Sequence, residues 1–306
     1  MRVYDLPLDL THLQTALNWS IERRSTPSKL ANAKYIQLFN KHVRSTQNDY
    51  NGYIRYFELP AKTRSDHLVY IEGTPFFSLF KLTPNGYFID YYQPDDYWKS
   101  AETDPKIIQR LLARNANKYI QTSDTIDLNL DRYILFPMQR PSLQIKLIEQ
   151  CLQWAKDNKR HIVFKTHPMP VDEVDLMVYW SDFNNRGLLS KYSHLVDNVN
   201  TDVLVDNCEM VWTTNSGVGT QALLKGKAVA YFENDYDFTY GPIATFCKSV
   251  DDAANATISI DNVEKYFSWY YHKFAIDMQA VNYREKINQR FDMFYNRGYT
   301  VEQLFG

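Results

Sequence analysis

Met210-Val211-Trp212-Thr213-Thr214-Asn215-Ser216-Gly217-Val218-Gly219-Thr220-Gln221-Ala222-Leu223-Leu224-Lys225-Gly226-Lys227-Ala228-Val229-Ala230-Tyr231-Phe232 decides the fold class of this chain. Met210 to Thr214 is a short apolar run that stops abruptly at polar and small residues, as a buried strand does. Val218 to Lys225 has the length and apolar content of a short helix. Ala228 to Phe232 is a second apolar run. Strand, helix and strand at this spacing predict a βαβ unit and a parallel sheet.

The same alternation extends upstream. Arg132 to Met138 and His161 to Lys165 read as strands. Between them Ser142 is placed to cap a helix whose Leu147, Ile148, Cys151, Leu152 and Ala155 share one face. Val203 to Cys208 is too short to assign. The first part of the chain gives short β-like runs, Tyr35 to Phe39, Tyr53 to Leu59, His67 to Ile71 and Tyr87 to Tyr92. Asp104-Pro105 then reads as an N-cap with proline at the first helical position, ahead of Ile107, Ile108, Leu111 and Leu112. Near the end, Asp261 with Glu264 resembles a capping box at the start of a helical tail running to about Tyr295. The simplest architecture is two α/β halves with a ligand crevice between them. The polar stretch Asp124 to Asp131 separates residues 1–130 from 131–255, and residues 256–306 form a helical tail expected to pack back on the N-terminal domain.

With 306 residues, the chain is long enough for two domains. Its formal net charge of -2 argues against a protein that lives on nucleic acid through a broad basic face. Tyr (23) and Phe (17) are common; they serve a core, and their alternative use is as stacking platforms for sugar rings. Cys151, Cys208 and Cys247 follow neither metal-ligand nor disulfide spacing and suit a reducing compartment. The first residues contain no signal-peptide core, and no run of 18 apolar residues occurs. A soluble, cytoplasmic protein is expected.

Two turns carry the candidate chemistry. Asn215-Ser216-Gly217 joins a strand to a helix start, where backbone N–H groups and a hydroxyl favour a phosphate. Gly217 and Gly219 permit close backbone approach. The stretch is not a P-loop, because its glycines are too far apart and no Ser or Thr follows Lys227. Lys165-Thr166-His167-Pro168 ends a neighbouring strand and offers a cation and an imidazole to the same crevice. Lys165 and His167 each have a bland alternative, a solvated strand-end lysine and a core histidine; Ser216 has the alternative of a plain N-cap. Together the turns suggest a site for a nucleotide-activated sugar. Glu72, before Gly73 and Pro75, is a strand-end carboxylate suited to a base or nucleophile, or else a surface turn residue. Gln139 can position a hydroxyl but not move a proton. Asp235-Tyr236-Asp237 after an apolar strand is a rival signal, for a divalent cation bound with a donor diphosphate.

The ordered motifs Ile71-Glu72-Gly73, Tyr87-Phe88-Ile89-Asp90, Phe136-Pro137-Met138-Gln139, Lys165-Thr166-His167-Pro168 and Thr214 to Lys227 resemble the capsule polysaccharide biosynthesis family, which includes bacterial β-Kdo transferases. The similarity spans roughly residues 67 to 235. It implies a GT-B fold, with two Rossmann-like domains whose parallel sheets face across a cleft and a donor held mainly by the C-terminal one. It implies a glycosyltransferase that uses a CMP-linked, Kdo-like donor, a UDP-sugar being the alternative, without a metal or resident cofactor. The acceptor is then a glycan or glycolipid. By the same resemblance His167-Pro168 corresponds to a nucleotide-binding pair, Ser216 with Asn215 to a phosphate-binding serine, Glu72 to an acidic residue at the cleft edge, and Gln139 to the glutamine of a Pro-Leu-Gln segment. Lys165, Gly217 and Thr220 complete the expected donor-binding set, and Glu72, Gln139 and His167 the catalytic one. Gly217 replaces a second hydroxyl and Gln221 a glutamate of the family pattern. Two alternatives stand beside this reading, a same-fold enzyme glycosylating a modified DNA base and a non-catalytic sugar-nucleotide-binding protein.

Overall fold

The strand–helix–strand pattern of Met210 to Phe232 is realised inside a parallel sheet. The computed structural model describes residues 38, 53–56, 68–74, 76–84, 97–114, 130, 132–139, 141–167, 173–197, 199–214, 216–232, 241–294 and 298–306. The chain divides into two units, Met1–Ile120 with Asp261–Gly306, and Gln121–Ile260.

The first unit opens with β1 (Tyr53–Tyr56), β2 (Leu68–Gly73) and β3 (Leu79–Pro84). β1 and β2 are parallel; β2 turns back onto β3 antiparallel through Thr74 to Ser78. Ser78 is buried at φ 62 in that turn, a conformation that costs a side-chain-bearing residue energy and persists only where neighbours hold it. α1 (Ile107–Arg114) follows. Asp104 accepts the Lys106 N–H at 2.9 Å, so Asp104-Pro105 forms a turn, and the regular helix starts later than expected. Of the run Tyr35 to Phe39 only Leu38 is described, and it is helical rather than extended. Residues 87–92 and 124–129 lie outside the described residues.

The second unit is built from β4 (Ile134–Pro137), α2 (Pro141–Asn158), β5 (Ile162–Lys165), α3 (Glu173–Asn185), β6 (Ser193–Val196), α4 (Thr201–Asn207), β7 (Met210–Thr213), α5 (Val218–Leu224), β8 (Ala228–Tyr231), β9 (Thr245–Phe246) and α6 (Val250–Ala253). α2 begins at Pro141, whose fixed φ suits a first turn, so Ser142 lies within the helix and does not cap it. Val203 to Cys208, left unassigned above, is mostly α4, capped by the Asn200 side chain on the Asp202 N–H. All six strands are parallel, in the order β6-β5-β4-β7-β8-β9. Counted from β4 as the first strand, this is the 3-2-1-4-5-6 order of a doubly wound Rossmann sheet. Four strands are buried along their whole length. Trp154 of α2 meets Trp212 of β7 edge-on at 4.9 Å in the core, and the Trp212 indole N–H donates to Ala253 O at 3.2 Å.

The tail returns to the first unit. α7 (Ile260–Trp269) contains Asp261 in its first turn, so the expected capping box does not form. It runs into a wider π turn, Tyr270–Phe274, and then β10 (Ile276–Asp277), α8 (Tyr283–Phe294) and α9 (Val301–Phe305). The tail is therefore not purely helical: β10 completes the sheet β1-β2-β3-β10, pairing antiparallel with β3. Among the described residues that sheet is mixed rather than parallel. Phe267 and Tyr270 pack against Phe76 of the β2–β3 turn, at 6.0 and 6.4 Å between ring centroids.

Candidate functional site

In the second unit the strand order reverses between β4 and β7. Successive strands run outward from β4 through β5 to β6, and the chain then crosses to β7 on the other side. Such a switch point, outside the carboxyl ends of the two strands, is where open α/β sheets bind ligands.

Pro137 ends the backbone hydrogen bonding between these two strands. The Ile134 and Met138 N–H groups donate to His161 O and Lys165 O on the β5 side, both at 2.9 Å. Odd-numbered residues of β4 therefore face β7, and Tyr133 O accepts the Glu209 N–H there at 2.8 Å. Pro137 is odd-numbered and has no N–H to give β7. The β4–β7 ladder accordingly stops at Leu135↔Val211, whereas β4–β5 and β7–β8 pair along all four residues.

Gln144, on the first turn of α2 and 4% exposed, bridges the ends of β4 and β7. Its Oε1 accepts the Gln139 N–H at 3.0 Å, and its Nε2 donates to Thr214 Oγ1. The polar ends of β7 are equally ordered. Thr213 Oγ1 accepts the Ser216 N–H at 3.1 Å, and Ser216 Oγ accepts the Val218 N–H at 3.3 Å. Thr213, Thr214 and Ser216 are all buried. Sequence reasoning did not single out Gln144, Thr213 or Thr214. The signal for Gln144 was available, since it continues the apolar stripe of Ile148, Cys151 and Ala155 as a polar residue in a core-facing place.

Lys165 ends β5 buried, at 2% exposure, which removes its bland alternative of a solvated lysine. Its Nζ donates to Thr166 O at 2.8 Å. Burial pushes its ammonium down to about 8, against the opposing pull of the Asp197 carboxylate. The Thr166 hydroxyl donates to that same carboxylate. His167 follows, half-buried, at the same strand end; Pro168 lies outside the described residues.

The other expected residues are placed as follows. Gln139, half-buried, directly follows β4's end. Ser216 stands one residue before the helix cap position, which Gly217 occupies. Gly217 has ordinary right-handed helical angles, φ -58 and ψ -13, and no described atom lies within 4 Å of where its Cβ would stand, so close packing does not demand a glycine there. Thr220 is buried inside α5 with its hydroxyl lacking a hydrogen-bond partner among the described residues. Gln221 donates to the Asp202 carboxylate of α4, which also meets Lys225 Nζ at 3.0 Å. Gln221 thus ties α5 to α4, and a glutamate in its place would set two carboxylates together. Glu72 belongs to the first unit. It is the penultimate residue of β2, opposite Lys81, rather than the strand's last. Asn215, Asp235 and Asp237 lie outside the described residues. The second unit thus gathers Gln139, Lys165, His167, Ser216, Gly217 and Thr220 at or beside the carboxyl ends of β4, β5 and β7. Among the described residues no group of His, Cys, Asp and Glu could hold a metal ion, and no helix is long and apolar enough to cross a membrane.

Among solved structures the chain is similar to KpsC of Thermosulfurimonas dismutans. Its β-Kdo 2,4 transferase is 14% identical over 75% of this chain and 75% of that one, with a TM-score of 0.41. Its β-Kdo 2,7 transferase is 17% identical over 73% and 78%, with a TM-score of 0.39. The UDP-GlcNAc 2-epimerase of Methanocaldococcus jannaschii is 14% identical over 53% and 45%, with a TM-score of 0.32. No curated protein matches. Residues 96–238, which contain β4 to β8 and the whole switch point between them, match the family described as capsule polysaccharide biosynthesis protein. That segment, rather than the whole chain, carries the similarity to this family.

Proposed function

We propose that this chain is a GT-B glycosyltransferase that moves a sugar from a nucleotide-activated donor to a hydroxyl of a glycan or glycolipid. The donor is CMP-linked in this reading, with a UDP-sugar as the alternative. The observation that carries it is a coincidence of place. The segment that matches the family is also the segment that builds a Rossmann switch point, and a buried lysine and three ordered hydroxyls stand at its strand ends.

The chemistry follows from charge. As the bond to the anomeric carbon breaks, the electron pair stays with the donor phosphate, and groups already aimed at that phosphate lower the barrier. Lys165 supplies a cation that burial has stripped of competing water, and Ser216 supplies a donor at the turn after β7. His167 is the third donor to the leaving group. Glu72 takes the proton of the attacking hydroxyl, and Gln139 orients a substrate hydroxyl. Neutralised in this way, the leaving group calls for no metal.

A thermal-shift screen against CMP, UDP, GDP and their sugars tests the reading, because a ligand that binds only the folded protein raises its melting temperature. CMP or a CMP-sugar is expected to stabilise most. Transfer, or slow donor hydrolysis, is expected to survive excess EDTA, and Asp235→Asn to be mild. Loss of turnover in EDTA with recovery in Mn²⁺ would instead make Asp235 and Asp237 the donor's metal ligands.

A further inference from the structure

We propose that Gln144 is a positioning residue of this site, holding the ends of β4 and β7, beyond the last rung of their backbone ladder, in the relative placement that a nucleotide phosphate requires. The inference rests on the nucleotide-donor reading and adds to it a residue that touches neither sugar nor phosphate.

Three observations meet at this point. Pro137 gives β7 no N–H, so the backbone ladder that would fix the two strands ends at Leu135↔Val211. Gln144 reaches across beyond that break, with one end on the Gln139 N–H and the other on the Thr214 hydroxyl. It does so while 4% exposed, so its amide has lost the water that would otherwise satisfy it.

The direction of the amide is fixed by its partners. A backbone N–H only donates, so the carbonyl oxygen of Gln144 faces Gln139 and its NH₂ faces Thr214. Thr214 Oγ1 is then an acceptor toward Gln144, and its own proton is directed away from α2. The next two hydroxyl contacts repeat the pattern, with N–H groups of Ser216 and Val218 donating to Thr213 and Ser216. The amide fixes both the width between Gln139 and Thr214 and the sense of the Thr214 hydroxyl, two requirements that an apolar residue of the same size cannot meet.

A double-mutant cycle in the full chain tests this. Gln144→Leu, Thr214→Val, Thr214→Ser and the Gln144→Leu/Thr214→Val pair are titrated by calorimetry with whichever of CMP, UDP or GDP stabilises the wild type most. Melting temperature and the donor KM and kcat are measured alongside. Gln144→Leu and Thr214→Val are each expected to weaken nucleotide binding roughly tenfold, the scale of one hydrogen bond. The pair should be no weaker than the worse single variant, and Thr214→Ser should restore wild-type affinity. Additive losses overturn the proposal, as does unchanged affinity in folded Gln144→Leu, even with a lowered melting temperature. If the wild type binds none of the three nucleotides, the donor reading and this inference fall together; if it binds one and Gln144→Leu binds it equally, only this inference falls.

Discussion

Lys165 shows how burial turns an ordinary residue into a tuned one. Its ammonium sits at about 8 because it has lost water and gained only partial compensation from the Asp197 carboxylate. Two opposite pH trends follow. In the unfolded chain the lysine keeps its proton to about its usual 10.5, so between about 8 and 10.5 the unfolded state binds more protons than the folded one. Stability therefore gains a contribution as pH rises through that window. Phosphate binding runs the other way. The nucleotide phosphate is already fully ionised above neutrality, so the lysine's proton is the charge that is lost, and affinity should fall as pH rises through about 8. Calorimetric titrations between pH 7 and 9.5 should show that fall in the wild type and a flat profile in Lys165→Met. A parallel decline in both proteins would show that the cation does not face the ligand. His167, at the same strand end, invites the complementary test. His167→Ala should leave the melting temperature nearly unchanged and cut transfer on the order of 10²-fold, the loss typical of one transition-state donor. A large drop in melting temperature with normal turnover would return it to the core.

At the scale of elements, the central parallel strands β4, β5, β7 and β8 were legible because each is an apolar run bounded by polar or small residues. Met210 to Thr213 and Ile162 to Lys165 are of this kind. What was not legible lacks that contrast. α3 carries Leu176 to Trp180 as one unbroken apolar stretch, which presents no helical stripe, and β6 at the sheet edge is half polar, Ser193-His194-Leu195-Val196. β10 is two residues long and is specified by its partners. The Asp277 carboxylate accepts from Ser78 Oγ at 3.1 Å, Arg114 Nη1 at 2.8 Å, Tyr271 OH at 3.0 Å and the Gln279 N–H at 2.9 Å. Residues from the β2–β3 turn, α1 and the π turn thus converge on one carboxylate, and the Arg114 guanidinium also lies over the Tyr271 ring at 5.3 Å. No local pattern announces such a point, because its members are distant in sequence. Asp277→Ala should destabilise the first unit by about 3 kcal/mol, since it leaves a largely buried guanidinium unpaired. Arg114→Met in the same chain should return part of that loss. Chemical denaturation of the two variants decides this; equal stability of Asp277→Ala and wild type would reduce the cluster to surface pairing. The candidate site divides along the same line. Lys165, His167 and Ser216 were visible as strand-end residues, whereas Gln144 and Thr214 matter through a contact between residues 70 apart in sequence.

At the scale of the whole molecule, the two units draw on the chain differently. The second unit is continuous, Gln121–Ile260, and has its own core of Phe136, Phe164, Trp154, Trp212 and Ile148 among others. The first is assembled from two distant segments, Met1–Ile120 and Asp261–Gly306. Its sheet takes β10 from the second segment, and Phe76 and Trp98 from the first pack on Phe267 and Tyr266 from the second. Removing residues 261–306 therefore strips the first unit of a strand and of the aromatic side chains that cover its hairpin, while leaving every strand of the Rossmann sheet in place. Calorimetry should then show that the transition belonging to the first unit is lost and the one belonging to the second remains, because a unit with an intact core unfolds cooperatively by itself. Nucleotide affinity should persist in the shortened protein, since Lys165, His167, Ser216 and Gln144 all lie in the retained unit, and transfer should disappear with the unit that carries Glu72. If nucleotide binding were lost along with transfer while the second unit's transition remained, the donor site would need residues of the first unit, and the β4–β7 switch point would not be sufficient to hold it.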